Sequence, residues 1–225
     1  MKNVIVSWSG GKDSAMSVYS IMNDPTFNLV GLLSIVFKYD DNKHYIGMHM
    51  IDIALIKQQS ELMGVELFVI EYIDEISYQR EMKKFLDYCL RKNVESIAFG
   101  DIHLQNLRKK REQKLKLIGM SAVFPLWNRP TTDIIKQFIS AGFKATIINI
   151  DTKFMSKSIL GTDLSDTILK IKDIDVCGEN GEYHTLVYDG PIFKFPLQFE
   201  LANVINLDNQ NRFLSILSRE KPLRI

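Results

Sequence analysis

Ser9-Gly10-Gly11-Lys12-Asp13-Ser14 follows directly on the apolar run Val4-Ile5-Val6-Ser7-Trp8, and this junction decides the fold. The run predicts a buried N-terminal strand; Ala15, Met16, Val18, Tyr19, Ile21 and Met22 then recur as the apolar positions of a helix. Between them, two adjacent glycines let the backbone approach an anion closely and take up positive φ where a turn requires it. Amides at the helix start point at such a ligand, and the helix dipole favours negative charge there. Lys12 adds a point charge, while Ser9 and Ser14 offer hydroxyls to phosphate oxygens. The stretch reads as a phosphate cradle at the end of the first strand.

Working outward, apolar strand-like runs alternate with helical patterns. Leu29–Val36, Glu66–Ile70 and Ser96–Phe99 read as strands, and residues 51–63 and 77–92 as helices. Continuous apolar strands separated by helices predict a parallel sheet covered on both faces, whose ligands lie at the carboxyl ends of the strands. Ser9–Ser14 and Gly100-Asp101 both fall there. A basic helix near 105–118, an extended segment at 122–127, a helix at 131–141 and a strand at 144–150 follow. From about 151 the sequence becomes polar and turn-rich, with a short helix near 163–171. We therefore expect a nucleotide-binding domain over residues 1–150 and a smaller α+β substrate-binding subdomain over 151–225.

Composition narrows the function classes. With 46% hydrophobic and 24% charged residues, the 225-residue chain has the make-up of an ordinary globular protein with a substantial core. A formal charge of +1 gives no global attraction to nucleic acid or membrane. No apolar segment approaches the ~20 residues that span a bilayer, and the N-terminus lacks the pattern of a signal peptide. Cys89 and Cys177 form no CxxC pair, so a cytoplasmic protein without disulfides is expected. Cys89 falls in a helical pattern as a core residue, and no His or Lys adjoins Cys177 to activate it. The basic run Arg108–Lys114 reads as a solvated helix face without the interleaved aromatics of a nucleic-acid surface. Arg108 and Arg111 are its candidates for reaching a phosphate, because a guanidinium can hold two oxygens.

The glycine loop is not a Walker A motif, since Val6 and Asp13 stand where that loop needs a glycine and a Ser or Thr. Ser-Gly-Gly-Lys-Asp-Ser instead resembles the PP-loop of the ATP-pyrophosphatase superfamily. The resemblance implies an adenine nucleotide alpha hydrolase-like (HUP) α/β sandwich and cleavage of ATP between its α and β phosphates.

A second constellation runs from Cys177 to Thr185. Gly178, Glu179, Asn180, Gly181, Glu182 and His184 place two glycines, two carboxylates, an amide and an imidazole close together. Taken alone it also fits a polar turn entering a hairpin, for which Asn-Gly is a strong signal. With Ser9–Ser14, Met48-His49, Gly64, Gly100-Asp101-Ile102, Arg108, Phe124-Pro125-Leu126-Trp127, Gly142-Phe143 and Asp189-Gly190-Pro191, the segment resembles the diphthine–ammonia ligase family.

That resemblance implies an AMP-forming carbon–nitrogen ligase that uses ATP, Mg²⁺ and ammonium to amidate the carboxylate of diphthine on elongation factor 2. It implies nucleotide contacts from Ser9, Gly10, Gly11, Lys12, Asp13, Ser14, His49, Gly100, Asp101 and Arg108, with Asp13 or Asp101 holding the metal. Lys12, Glu179, Glu182 and His184 are the catalytic candidates, His184 on condition that its pKa lies near neutrality. Glu179, Asn180, Gly181, Glu182 and Tyr183 are the candidates for binding the acceptor, whose trimethylammonium group suits the Tyr183 ring. His49 reads equally as a structural histidine. The pattern around Gly100–Glu112 looks more like the short bacterial members than the eukaryotic enzymes, and since bacteria are not expected to make diphthamide, the resemblance leaves another carboxylic acid open as acceptor. A tRNA-modifying or sulfur-transfer enzyme and a non-catalytic ATP sensor are the competing readings. The sequence leaves the oligomeric state open, a homodimer included.

Overall fold

The structure is a computed structural model describing residues 1–40, 43–46, 51–207 and 211–218. His49 lies outside the described residues. The chain runs β1 (Lys2–Ser7), α1 (Lys12–Met22), β2 (Phe27–Asp40), β3 (Lys43–Ile46), β4 (Ile51–Asp52), α2 (Ile53–Met63), β5 (Leu67–Tyr72), α3 (Glu75–Arg91), β6 (Val94–Ala98), α4 (Gln105–Lys116) and β7 (Ser121–Val123). There follow α5 (Thr131–Ser140), β8 (Lys144–Asp151), β9 (Tyr183–Asp189), β10 (Phe199–Leu207) and β11 (Asn211–Ser218).

Five parallel strands lie side by side in the order β5-β2-β1-β6-β7, the arrangement expected for a HUP-like α/β sandwich. The β3 and β4 strands extend this sheet in antiparallel fashion from the far end of β2. Alternation along β1 explains its uniformly apolar sequence. Val4, Val6 and Trp8 face a core shared with α1, α2 and α5, whereas Ile5 faces a second core with Phe85, Tyr88 and Cys89 of α3. Both faces are dry, and burial of each large side chain contributes roughly 1.5–3 kcal/mol.

Local signals fix the helix ends. Asp52 accepts the Ala54 N–H to start α2, and Gly64, at φ +71°, ends it. Asp74 and Ser77 form a reciprocal capping box at the start of α3. No helix among the described residues is long and apolar enough to cross a membrane.

The second sheet is antiparallel, in the order β10-β11-β8-β9. Its third member, β8, is a strand that the sequence places just before the change of character at 151. Its apolar run looks like a sixth parallel strand, but its residues pair antiparallel with β9 and β11. The region near 163–171 forms only a short 3-10 turn at Asp166–Lys170.

Candidate active site

The glycine loop connects β1 to α1 at the carboxyl edge of the parallel sheet. Gly10 sits at φ +81°, and a Cβ there would lie 2.6 Å from Ile56 Cδ1 and 2.8 Å from Gln59 Oε1. Its carbonyl accepts the Val187 N–H at 2.9 Å and Gln59 Nε2 at 3.1 Å. The serines shape the loop: Ser9 Oγ accepts the Gly11 N–H at 3.4 Å, and Ser14 Oγ donates to the Gly11 carbonyl at 2.9 Å. The sequence counts every amide at the helix start as facing an anion. The Lys12 N–H instead donates to Thr185 Oγ1 at 3.1 Å, so β9 supplies the cap that α1 lacks in its own sequence.

Lys12 is buried, with Nζ 2.9 Å from Asp13 Oδ2 and 4.8 Å from the centroid of the Tyr183 ring. Burial is the largest influence and opposes its charge, but the Asp13 carboxylate together with Tyr183 and Cys177 holds the ammonium protonated, above the usual lysine range. On Asp13, burial works the other way and pushes the carboxyl up against the pull of Lys12. Its second oxygen, Oδ1, is buried without a hydrogen-bond partner. Gly100 permits the end of β6 to abut this turn, since a Cβ there would lie 3.0 Å from the Asp13 carbonyl carbon.

Asp101 is held by Arg111. Nη2 donates to Oδ1 at 3.1 Å, while Nε lies 2.8 Å from Oδ2 with its N–H directed elsewhere, so that second contact is an ion pair only. Burial raises the Asp101 carboxyl despite this partner. The Arg111 guanidinium lies 4.0 Å over Phe99, and Arg108 lies 4.5 Å over Trp127 and 5.0 Å over Phe124. Both arginines thus rest on aromatic platforms, Arg111 beside Asp101 and Arg108 donating to Glu112 at 2.7 Å.

The 175–184 segment is organised by its own carboxylates. Asp175 accepts the Cys177 N–H at 2.8 Å and the Glu179 N–H at 3.3 Å. Glu182 accepts from the Asp175 N–H at 2.8 Å, the Asn180 N–H at 3.0 Å and Asn180 Nδ2 at 3.1 Å. Although burial opposes ionisation, these donors hold Glu182 below the usual glutamate range, which makes it a poor base and a good loop anchor. Glu179 is different. Its Oε2 accepts the Ile102 N–H at 3.3 Å, joining this segment to the turn after β6. Burial and the nearby Asp13 push its carboxyl up.

The remaining candidates are not poised for the roles the sequence offers them. Tyr183 is fully buried, donates to the Val176 carbonyl at 2.6 Å and already presents its ring to Lys12, so an acceptor cation has no access to that face. Burial and Lys12 pull His184 down to about 4, away from the neutral range that proton transfer requires. Cys177 is buried, donates to the Thr131 carbonyl and has its thiol pushed up by burial, so it is no thiolate nucleophile. Among the described residues no cluster of three or more metal-ligating side chains converges. The orphaned Asp13 Oδ1 nevertheless fits one contact to Mg²⁺, which commonly takes one or two carboxylates beside substrate phosphates.

Gln59 and Thr185 were not singled out from sequence. Gln59 carried a weak signal, for it is, with Ser60, a polar residue on a stripe otherwise formed by Leu55, Ile56 and Met63. Thr185 carried none beyond its place in the Glu-Tyr-His-Thr string.

A parallel sheet with this glycine loop at its first strand–helix junction, and with carboxylates from two later segments beside it, defines a PP-loop α/β protein. More narrowly, the chain belongs to the diphthamide synthase family: residues 1–122 match its N-terminal domain and residues 130–220 its C-terminal domain. It is 26% identical over 141 residues to the human diphthine–ammonia ligase, covering 59% of this chain and 51% of that protein. The mouse enzyme of that name is 26% identical over 130 residues, covering 54% and 47%. The Schizosaccharomyces pombe enzyme is 28% identical over 108 residues, covering 45% and 18%. The matched stretches thus span about half or less of the relatives' own lengths.

Proposed function

We propose that this chain is an ATP-dependent carbon–nitrogen ligase that adenylates a substrate carboxylate and amidates it with ammonia. The observation that carries this reading is the meeting of Lys12 and Asp13 with Asp101 and Glu179 at one sheet edge. In the first step a carboxylate oxygen of the acceptor attacks the α-phosphorus of ATP, the bond to the β-phosphate bridging oxygen breaks, and pyrophosphate leaves. The loop and the Lys12 ammonium offset charge on the departing phosphates. Mg²⁺, held through Asp13, supplies further charge neutralisation when bound. In the second step ammonia attacks the acyl carbon, the mixed anhydride breaks and AMP leaves. Glu179, with its raised carboxyl, takes the proton that ammonium must lose before its nitrogen can attack, and the second proton, shed as the amide forms, passes to solvent.

Diphthine is the acceptor named for the relatives, and diphthine on elongation factor 2 is the first acceptor to test here. A cytoplasmic setting suits two buried free thiols. The test is turnover of Mg·ATP with ammonium and a panel of carboxylates, quantifying AMP, ADP and pyrophosphate, with Lys12→Ala as control. AMP and pyrophosphate formed in step with amide, and lost in Lys12→Ala, are the expected result. ADP as the product, or AMP formation indifferent to every acceptor and to ammonium, overturns the ligase reading.

A further inference from the structure

One buried side chain outside the proposed chemistry touches the glycine loop and the strands on either side of it. Gln59, fully buried on α2, accepts the Trp8 indole N–H at 3.0 Å through Oε1. Its Nε2 donates to the Gly10 carbonyl at 3.1 Å and to the Val187 carbonyl at 2.7 Å. All three partners are fixed in type, so the amide has one permissible orientation: reversed, its oxygen would face two carbonyls. The side chain therefore joins the end of β1, the turn residue at positive φ, and β9 of the other sheet.

The same neighbourhood is laced twice more to β9, by the Val187 N–H on the Gly10 carbonyl and by the Lys12 N–H on Thr185. With Gln59 removed, the Gly10 carbonyl keeps its bond from Val187 and the sheets stay joined. What is lost is the second donor that fixes the plane of the Gly10–Gly11 peptide, while the Val187 carbonyl and the Trp8 indole lose their partner.

We propose that Gln59 is a positioning residue for the pyrophosphate portion of the nucleotide, fixing the Gly10–Gly11 peptide and, through the Gly11 N–H on Ser9 Oγ, the shape of the loop around the β and γ phosphates. The inference rests on the nucleotide-binding reading above. It makes a distinction that general loosening of the fold does not. Gln59 contacts the loop and its supporting strands, so phosphate-bearing ligands should feel its loss, whereas AMP, held mainly through its nucleoside, should not.

The experiment is calorimetric binding of α,β-methylene-ATP, pyrophosphate and AMP, each with Mg²⁺, to the full chain as wild type, Gln59→Leu and Trp8→Phe. We expect Gln59→Leu to weaken the ATP analogue and pyrophosphate by tenfold or more and to leave AMP within twofold. Trp8→Phe, which removes the donor that orients the amide together with part of a buried ring, should weaken the same two ligands about threefold. Equal loss of all three ligands in Gln59→Leu assigns the residue to stability alone and overturns the proposal, as does unchanged binding of all three. If Gln59→Leu does not fold, Trp8→Phe decides by the same criteria. Failure of the wild type to bind any of the ligands would instead sink the nucleotide-binding reading, and this inference with it.

Discussion

Gly10 is constrained twice over, by a φ of +81° and by the 2.6 Å that would separate a Cβ from Ile56. Gly10→Ala must therefore meet both a left-handed backbone penalty and an overlap inside a packed core. We expect a loss of about 3 kcal/mol in urea unfolding, with nucleotide affinity falling more than tenfold. Glu179 and Glu182, three residues apart, illustrate how identical side chains diverge by environment. Glu182 is ionised and surrounded by donors, so Glu182→Ala should leave backbone N–H groups of the loop unpaired and cost about 3 kcal/mol. The Glu179 carboxyl is raised by burial and Asp13, so the folded chain holds this proton more tightly than the unfolded one. Its contribution to stability is present at low pH and lost as pH rises through the folded value. Glu179→Gln should accordingly raise the melting temperature at pH 8 while lowering amide formation at least tenfold; a variant with full turnover would remove Glu179 from the proton-transfer role.

Among the elements, β9 has the most varied duties. It carries Tyr183 under Lys12, caps α1 through Thr185, bonds Gly10 through Val187, and pairs with β8. His184 lies within it, and its depressed pKa makes the strand acid-sensitive. The free imidazole takes a proton below about 6.5, the folded one only below about 4. Across that window the unfolded chain binds more protons, so stability falls as pH drops through it, by ~3 kcal/mol at full extent. Urea midpoints measured at pH 7 and pH 4.5 should show this loss, and His184→Gln should reduce it. On the opposite face of the parallel sheet, the start of α3 is fixed by local chemistry. Its Asp74–Ser77 capping box is a local sequence signal, and Asp74→Ala should lower the melting temperature measurably.

For the whole molecule, the consequence is that the two sheets are not independent. The loop proposed to receive phosphate is built on β1 and α1 but braced by β9, so nucleotide bound there should stabilise both sheets together. Mg·ATP at a hundred times its Kd stabilises the folded state by about 2.7 kcal/mol. Amide exchange should slow in residues 9–15 and in 183–187 alike. Protection confined to the first sheet would show that the bracing is idle.

The sequence by itself determined the parallel sheet, the glycine loop at its first junction and the polar hairpin segment at 177–185. These follow from local rules: apolar continuity, helical periodicity, and glycines where a backbone must turn or approach. Only the tertiary structure decided that β8 joins the antiparallel sheet, because an apolar strand run does not encode its partner. It also decided that Glu182 anchors a loop while Glu179 bonds the turn after β6, that Lys12 rests against Tyr183, and that Gln59 bonds the Gly10 carbonyl. Each of these depends on which groups meet across long separations in the chain, such as the 128 residues between Gln59 and Val187. Burial and charge at such meetings set protonation and orientation, and neither is a property of the residue type alone.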